Sequence, residues 1–270
     1  MDALDHSLRE QDFRLPENDR YTFAVLRRIL RGECELLLTD HERFLLCHSA
    51  ARFPVWIWTP DGAPTEEKER AWQIAREARP LTEGFKYNLK YELAEYFMAR
   101  AKDAGVNAGV AMNLLAYDCP VLTAPARPAD GGMYICTQTD IGEAAQMIAQ
   151  FHVAIDDGIT EKTYCRSKAE EYIGNSAFFL WKNRDGKAVA CCAYKPDGDL
   201  ASLSSVYTLP EYRRRHYAAN LVYAVTKRVA DLGYTPMLYT DADYGPSNAC
   251  YTAIGYIPRG RLCTLAAQTN

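Results

Sequence analysis

The run Val206-Tyr207-Thr208-Leu209-Pro210-Glu211-Tyr212-Arg213-Arg214-Arg215-His216-Tyr217-Ala218-Ala219 concentrates more chemistry than any other part of this chain. A β-rich segment stops at a proline, turns through consecutive arginines and enters a long amphipathic stretch. The first turn of a helix carries backbone N–H groups without intrahelical acceptors, and it is the positive end of the macrodipole. Arginines at the same point add charge. Such a place suits an anion, and a diphosphate fits it. Arg214 and Arg215 are candidates to reach phosphate oxygens, against a solvated helix start as the plain alternative. Arg213 would do the same or brace Glu211 and the loop.

A second cluster follows downstream. Ser247, Asn248 and Tyr251 share a short helical segment, with Asn248 three residues before Tyr251 and hence on its face. Asn248 would contact a ligand or simply sit near the helix start behind Ser247 as its cap. Nine cysteines are scattered through the chain, with no C-x-x-C and no Cys/His finger spacing, so no metal site is expected. They read as buried free thiols of a cytoplasmic protein. The adjacent Cys191 and Cys192 cannot both face one side of a strand.

The elements that must position these residues are regular after residue 129. Met133 to Gln138 reads as a strand, followed by a helix to about Val153 and another near Ser167 to Tyr172. Phe178 to Asn183, Ala188 to Tyr194 and Leu200 to Thr208 are three consecutive strands, the first two joined by the hairpin signal Arg184-Asp185-Gly186. A helix is expected from Arg214 to Leu232, stopped by Gly233. Then come a strand at Met237 to Thr240, a helix from about Ser247 to Ile254, and a strand from Tyr256 to Leu265. Before the loop Ala124 to Gly132 the signals are mostly helical. Tyr21 to Leu30, Thr65 to Arg79 and Lys86 to Ala104 read as helices, with strands at Phe53 to Trp58 and Leu114 to Leu122. The Pro/Gly-rich loop suggests two domains, 1–128 and 129–270. The fold class expected is α/β (α+β), a mixed central sheet flanked by helices after a mostly helical α/β N-terminal domain. No internal repeat or low-complexity tract is visible.

At 270 residues, with 48% hydrophobic and 24% charged residues, the chain can bury a substantial core. A formal charge of -4 and a pI near 5.8 argue against a general nucleic-acid binder, so the arginines are a local device. No run approaches the roughly 20 apolar residues of a membrane span. The polar start Met1-Asp2-Ala3-Leu4-Asp5-His6 is unlike a secretory signal.

Element order and motifs together resemble the GNAT superfamily of acyl-CoA-dependent acyltransferases over about residues 131–265. The family's phosphate motif is Gln or Arg, two residues, Gly, one residue, then Gly or Ala. Arg213-Arg214-Arg215-His216-Tyr217-Ala218 keeps its first and last positions and replaces the glycine by His216. Tyr251-Thr252-Ala253-Ile254-Gly255-Tyr256 is similar to the family's Tyr-x-x-hydrophobic-Gly-Phe/Tyr signature. The resemblance implies acetyl-CoA as co-substrate, an amine acceptor (small molecule or peptide), and N-acyl transfer, most readily of acetyl. A catalytically weak acyl-CoA-binding regulatory module is the alternative, and oligomerisation is left open. It further implies that Val206, Tyr207 and Thr208 form the rail for the pantetheine arm, where the strand splays from its neighbour. Backbone groups from Arg214 through Ala219, with Tyr217 and Ala218 between them, would hold the diphosphate. A non-glycine residue in left-handed geometry costs about 1–2 kcal/mol, so His216 is expected to be helical with its ring turned away.

Tyr251 matches the family's general acid. A phenol with a pKa of roughly 10 can protonate a thiolate whose conjugate acid lies near 8.5 when it is within hydrogen-bond reach. Many relatives carry an asparagine seven residues before that tyrosine, where this chain has Tyr244. No general base stands out among Asp241, Asp243, His152 and Asp156. The aromatic N-terminal residues Trp56, Trp58, Trp72, Tyr87, Tyr91 and Tyr96 would pack a core or wall an acceptor pocket. A degenerate second copy of the acyltransferase fold is one reading of that region.

Overall fold

The computed structural model describes residues 4–268, so Met1-Asp2-Ala3 of the polar N-terminal segment lies outside the described residues. The chain forms two compact units. The first comprises the described residues up to Ala116, Asp241–Asp243 and the described residues from Arg259; the second comprises Tyr117–Thr240 and Tyr244–Pro258.

In the first unit, α1 (Ala24–Leu30) precedes the strands β1 (Leu36–Thr39), β2 (Leu45–His48) and β3 (Val55–Trp58). Then follow α2 (Thr65–Ala78), β4 (Tyr87–Leu89), α3 (Tyr91–Asp103) and β5 (Ala108–Asp118). The expected helix from Lys86 therefore yields its first residues to β4. β1, β2 and β3 form an antiparallel meander, and β4 pairs with β3 in parallel. Trp56, Trp58, Trp72 and Tyr87 are buried core residues, while Tyr91 and Tyr96 pack against that core.

The second unit contains β6 (Gly132–Ile135), α4 (Ile141–Ile155), α5 (Lys162–Gly174), β7 (Phe178–Lys182), β8 (Ala188–Asp197) and β9 (Leu200–Thr208). These lead to α6 (Tyr217–Asp231), β10 (Thr235–Asp241) and α7 (Gly245–Ile254), after which β11 (Ile257–Ala267) returns from Arg259 to the first unit. Its strands run in the order β10-β9-β8-β7-β6. β7, β8 and β9 are an antiparallel meander, and β10 joins β9 in parallel. Phe178, Leu180, Cys191, Ala193 and Tyr207 share one face, covered by α4 and α5. The other face carries Phe179 and Cys192 and is covered by α6, whose Arg228 lies 5.8 Å from the Phe179 ring.

Both units thus run through the same succession: helix, three-strand meander, helix, parallel strand, helix. The repeat is one of topology, invisible as sequence. β11 pairs antiparallel with β4 of the first unit, Cys263 opposite Leu89. The sequence division at 128/129 therefore differs from the compact units: the last strand from Arg259 and Asp241–Asp243 belong with the first, and the loop before β6 belongs with the second. That loop is bonded down, Arg127 O accepting from Asn220 Nδ2 at 3.0 Å and the Asp130 carboxylate from the Tyr217 hydroxyl.

The N-terminal segment is fastened by a buried clasp. Asp5 and Thr39 exchange backbone hydrogen bonds at 2.9 and 3.1 Å. The His41 ring meets Asp12 through Nδ1 at 2.9 Å and Asp5 through Nε2 at 3.1 Å. With a carboxylate at each nitrogen, the ring is held as imidazolium. The Asp12 bond raises His41 above its ordinary 6.5, against burial, with Asp5 adding to the rise. Asp5 is held well below the carboxylate range, first by Ser7 and then by His41. A raised cationic group contributes stability that is complete below the unfolded pKa and lost as pH rises through the folded one. The melting temperature should therefore fall as pH is raised above 6.5, and His41→Asn, which tolerates the same φ of 64°, should flatten that limb in a calorimetric series. An unchanged alkaline limb in the variant would place its origin elsewhere.

Candidate active site

β9 and β10 separate where the sequence places the rail. Cys191 pairs with Tyr207 and Ala193 with Ser204, so Cys192 alone stands opposite Ser205 and Val206. Two residues against one make a bulge, and Ser205 is left-handed at φ 50°. Its carbonyl accepts from the Cys191 thiol at 3.1 Å. Leu209 N–H donates to Val189 O at 3.0 Å, which sets the alternation. Tyr207 turns its backbone groups toward β8, and Val206 and Thr208 turn theirs to the opposite side. That side is open. Pairing of β9 with β10 ends at Leu203–Leu238, although β9 continues to Thr208 and β10 to Asp241. The result is a seam onto which the backbone groups of Val206 and the Thr208 N–H turn from the β9 side, with the Thr208 carbonyl taken at 3.3 Å by Arg213 Nε.

The seam leads to the start of α6. The helix begins at Tyr217, not Arg214, and His216 is its N-cap with φ 66° and ψ 8°. This corrects the expectation of a helical His216. Arg214 is left-handed as well, at φ 63°. Histidine is among the non-glycine residues that enter this region more readily than most, so the loop keeps the glycine-type bend without the glycine. Among the described residues, no backbone N–H from Arg214 to Ala219 meets a protein acceptor. Alternating left-handed residues ahead of a helix converge such groups into an anion-binding concavity.

Arg213, Arg214, Arg215 and His216 are all exposed. Arg215 lies 5.4 Å from the Tyr212 ring and Arg213 5.9 Å from the Tyr207 ring. Glu211 faces Lys187 at 3.8 Å, so Arg213 braces the loop through Thr208 and not through Glu211. His216→Gly should remove about 1–2 kcal/mol of left-handed strain against about 0.5–1 kcal/mol of added chain entropy. A small rise in melting temperature is expected, and a clear fall would show that the imidazole makes a compensating contact.

α7 supplies Tyr251, only 7% exposed. Gly255 ends the helix at φ 109°, and a Cβ there would lie 2.0 Å from Val121 O, which explains the glycine of the motif. Tyr256 is fully buried, its hydroxyl 2.7 Å from Thr226 Oγ1 of α6. Its ring stands edge-on to Tyr251 at 5.9 Å. The Tyr251 phenol is thereby fixed on the α6 side of the sheet. Burial pushes it well above its ordinary 10.0, the Cys250 and Cys192 thiols add to the rise, and Ser247 opposes it. Asn248 sits half-buried in the same helix, while Tyr244 is 53% exposed.

Cys191 and Cys192 are fully buried, and burial raises both thiols far above the ordinary 9.0. Neither is a thiolate at neutral pH, so neither is an acyl-accepting nucleophile. The four base candidates have structural work. Asp241 caps Asp243 N–H at 2.9 Å, Asp243 accepts from Asn113 Nδ2 at 2.6 Å, Asp156 ends α4 in left-handed geometry, and His152 Nδ1 meets Asp157 at 2.7 Å.

The matching place in the first unit is acidic, not basic. Glu66 and Glu67 occupy the first turn of α2, and Gly62 N–H, in the preceding turn, donates to Glu92 at 3.2 Å.

Residues 180–264 match the family model FR47-like protein. No curated protein matches the chain. Among solved structures, the chain is similar to a GCN5-related N-acetyltransferase from Sphaerobacter thermophilus, with 12% identity, TM-score 0.69, and coverage of 97% of this chain and 94% of that one. A GCN5-related N-acetyltransferase from Kribbella flavida is similar at 17% identity and TM-score 0.62, over 93% of this chain and 95% of that one. A GNAT-family acetyltransferase from Colwellia psychrerythraea is similar at 12% identity and TM-score 0.61, over 98% and 100%. The fold is that of the GNAT acetyltransferases, as the motifs of the C-terminal half imply. No described helix is long and apolar enough to cross a membrane.

Proposed function

We propose that the protein is an N-acyltransferase that moves an acetyl group from acetyl-CoA directly to an amine, either of a small molecule or of a peptide. The observation that carries this reading is the continuity of two features in one stretch of chain. The opened edge of β9 at Val206 to Thr208 runs straight into the unsatisfied N–H groups from Arg214 to Ala219. An extended amide-bearing arm ending in a diphosphate is the ligand that uses both.

Acetyl-CoA supplies the thioester whose C–S bond is broken. Val206 and Thr208 present main-chain donors and acceptors for the arm and for the thioester carbonyl. The α6 start, with Arg214 and Arg215 beside it, neutralises the diphosphate. Tyr251, protonated throughout the neutral range, donates to the departing sulfur. Buried Cys191 and Cys192 offer no covalent relay, which favours direct attack by the amine. Arg213, His216, Tyr217, Ala218 and Asn248 shape and support the coenzyme site.

Calorimetric titration with acetyl-CoA, followed by thiol release against a panel of amines, tests the reading. Binding with amine-dependent thiol release is the expected result. Binding without turnover on any amine, unchanged by Tyr251→Phe, would leave a coenzyme-binding module in place of an enzyme.

A further inference from the structure

We propose that Ser204 and Tyr172 form the acceptor-side proton path of this site. Ser204 Oγ would receive the hydrogen of the attacking amine, and the Tyr172 hydroxyl would pass a proton on to water. The inference rests on the acyl-transfer reading above and adds the residues that reading leaves unassigned.

Position comes first. Ser204 is the first residue of β9 beyond its last pair with β10, and it immediately precedes the left-handed Ser205 of the bulge. It therefore stands at the mouth of the seam. Its pairing with Ala193 puts it on the face covered by α4 and α5. Tyr251 belongs to α7, which packs on α6 across the opposite face. A reacting carbonyl held in the seam would have a phenol on one side and the Ser204 hydroxyl on the other. Amide formation from a thioester requires this separation, because one proton leaves the nitrogen while another reaches the sulfur.

The second observation is the contact that Ser204 makes. Tyr172 of α5 places its hydroxyl 3.1 Å from Ser204 Oγ, and its ring rests on Phe178 with centroids 6.2 Å apart. Tyr172 is half-buried, so the pair reaches from the seam toward solvent. The charged groups on this side are Lys168 and Glu171 of α5 and Lys195 of β8. Glu171 lies 2.7 Å from Lys168 and 2.6 Å from Lys195. Burial raises its carboxyl, but the two lysines outweigh burial and hold it at about 2. Glu171 is thus a fixed anion and not the base. Farther along the helix pair, His152 is engaged with Asp157, and Lys168 lies 5.8 Å from the Tyr164 ring.

The step balances without a strong base. The amine lone pair forms the C–N bond as the C–S bond breaks. The nitrogen, cationic on attack and therefore acidic, gives its proton to Ser204 as Ser204 gives its own to Tyr172 and Tyr172 gives its own to water. Tyr251 protonates the leaving sulfur. In this scheme Ser204 touches the substrate and Tyr172 is a positioning residue that acts through it.

The test uses the full chain with acetyl-CoA and the best amine of the panel. Tyr172→Phe and Ser204→Ala should each lower kcat/KM for the amine about 10- to 100-fold, while the calorimetric Kd for acetyl-CoA stays within about twofold of wild type. That unchanged Kd also reports a folded protein. Ser204→Thr, which keeps the hydroxyl, should restore most of the rate. The proton inventory of kcat in mixed H2O/D2O should be curved for wild type and closer to linear for Tyr172→Phe. If wild type turns over and both variants keep kcat/KM within about twofold, the relay is wrong and the acyltransferase reading stands. If wild type binds acetyl-CoA yet acylates no amine, both fall together.

Discussion

Replacing Tyr251 by phenylalanine is expected to lower kcat by about 10²–10⁴-fold, the range of a positioned general acid. The ring is held edge-on to Tyr256, whose hydroxyl is locked to Thr226, so removing one oxygen leaves the packing intact. Acetyl-CoA affinity should stay within about twofold. Because burial raises the phenol above 10.0, the proton is present across the neutral and mildly alkaline range. The wild-type rate should therefore show no alkaline decline attributable to Tyr251 below that pH. Leaving-group dependence sharpens the test. A thioester with a more acidic thiol needs less protonation, so the variant should recover part of its loss with such a donor. A kcat within about threefold of wild type would remove Tyr251 from the acid role.

The second large effect concerns the helix start. Ala219 is the third residue of α6 after the His216 cap. A glutamate at that position reaches back to the backbone N–H of the cap, and a carboxylate in the first turn complements the dipole. Ala219→Glu should therefore raise stability by about 0.3–1 kcal/mol. The same carboxylate would occupy N–H groups assigned to the diphosphate and repel it, so acetyl-CoA affinity should drop by more than about 100-fold, since 1.4 kcal/mol is tenfold. The first unit already carries acidic residues in such a place, Glu66 and Glu67 in the opening turn of α2. Stability and binding move in opposite directions, so a misfolded variant cannot imitate the result. Unchanged affinity would mean that the coenzyme does not use these amides.

The second unit was readable because its signals are local. The meander, the helix after the arginines and the Tyr-Gly-Tyr segment each show a period or a turn chemistry within a few residues. His216 departs from the expected helical geometry for a physical reason: a motif without glycine does not exclude left-handed backbone, and histidine and arginine both hold it here. In the first unit, Leu36–Thr39 and Leu45–His48 were missed because short strands buried on both faces lack alternation. Tyr87–Leu89 was absorbed into a helix because it abuts a strongly periodic stretch. Pairings that join distant segments left no trace at all. Cys263 opposite Leu89, His41 between Asp5 and Asp12, and Tyr172 against Ser204 are each settled by topology. The parting of β9 from β10 lay between these extremes: the resemblance implies a splay at Val206 to Thr208, but not the bulge against β8 at Ser205.

The central claim is that the amides opening at Arg214 hold the diphosphate of an acyl coenzyme. A crystal structure of the protein soaked with CoA tests it most directly. Diphosphate oxygens should lie about 2.7–3.2 Å from backbone nitrogens between Arg214 and Ala219, with the pantetheine arm along Val206 to Thr208. Coenzyme bound at another place, with those nitrogens still facing water, would contradict the claim.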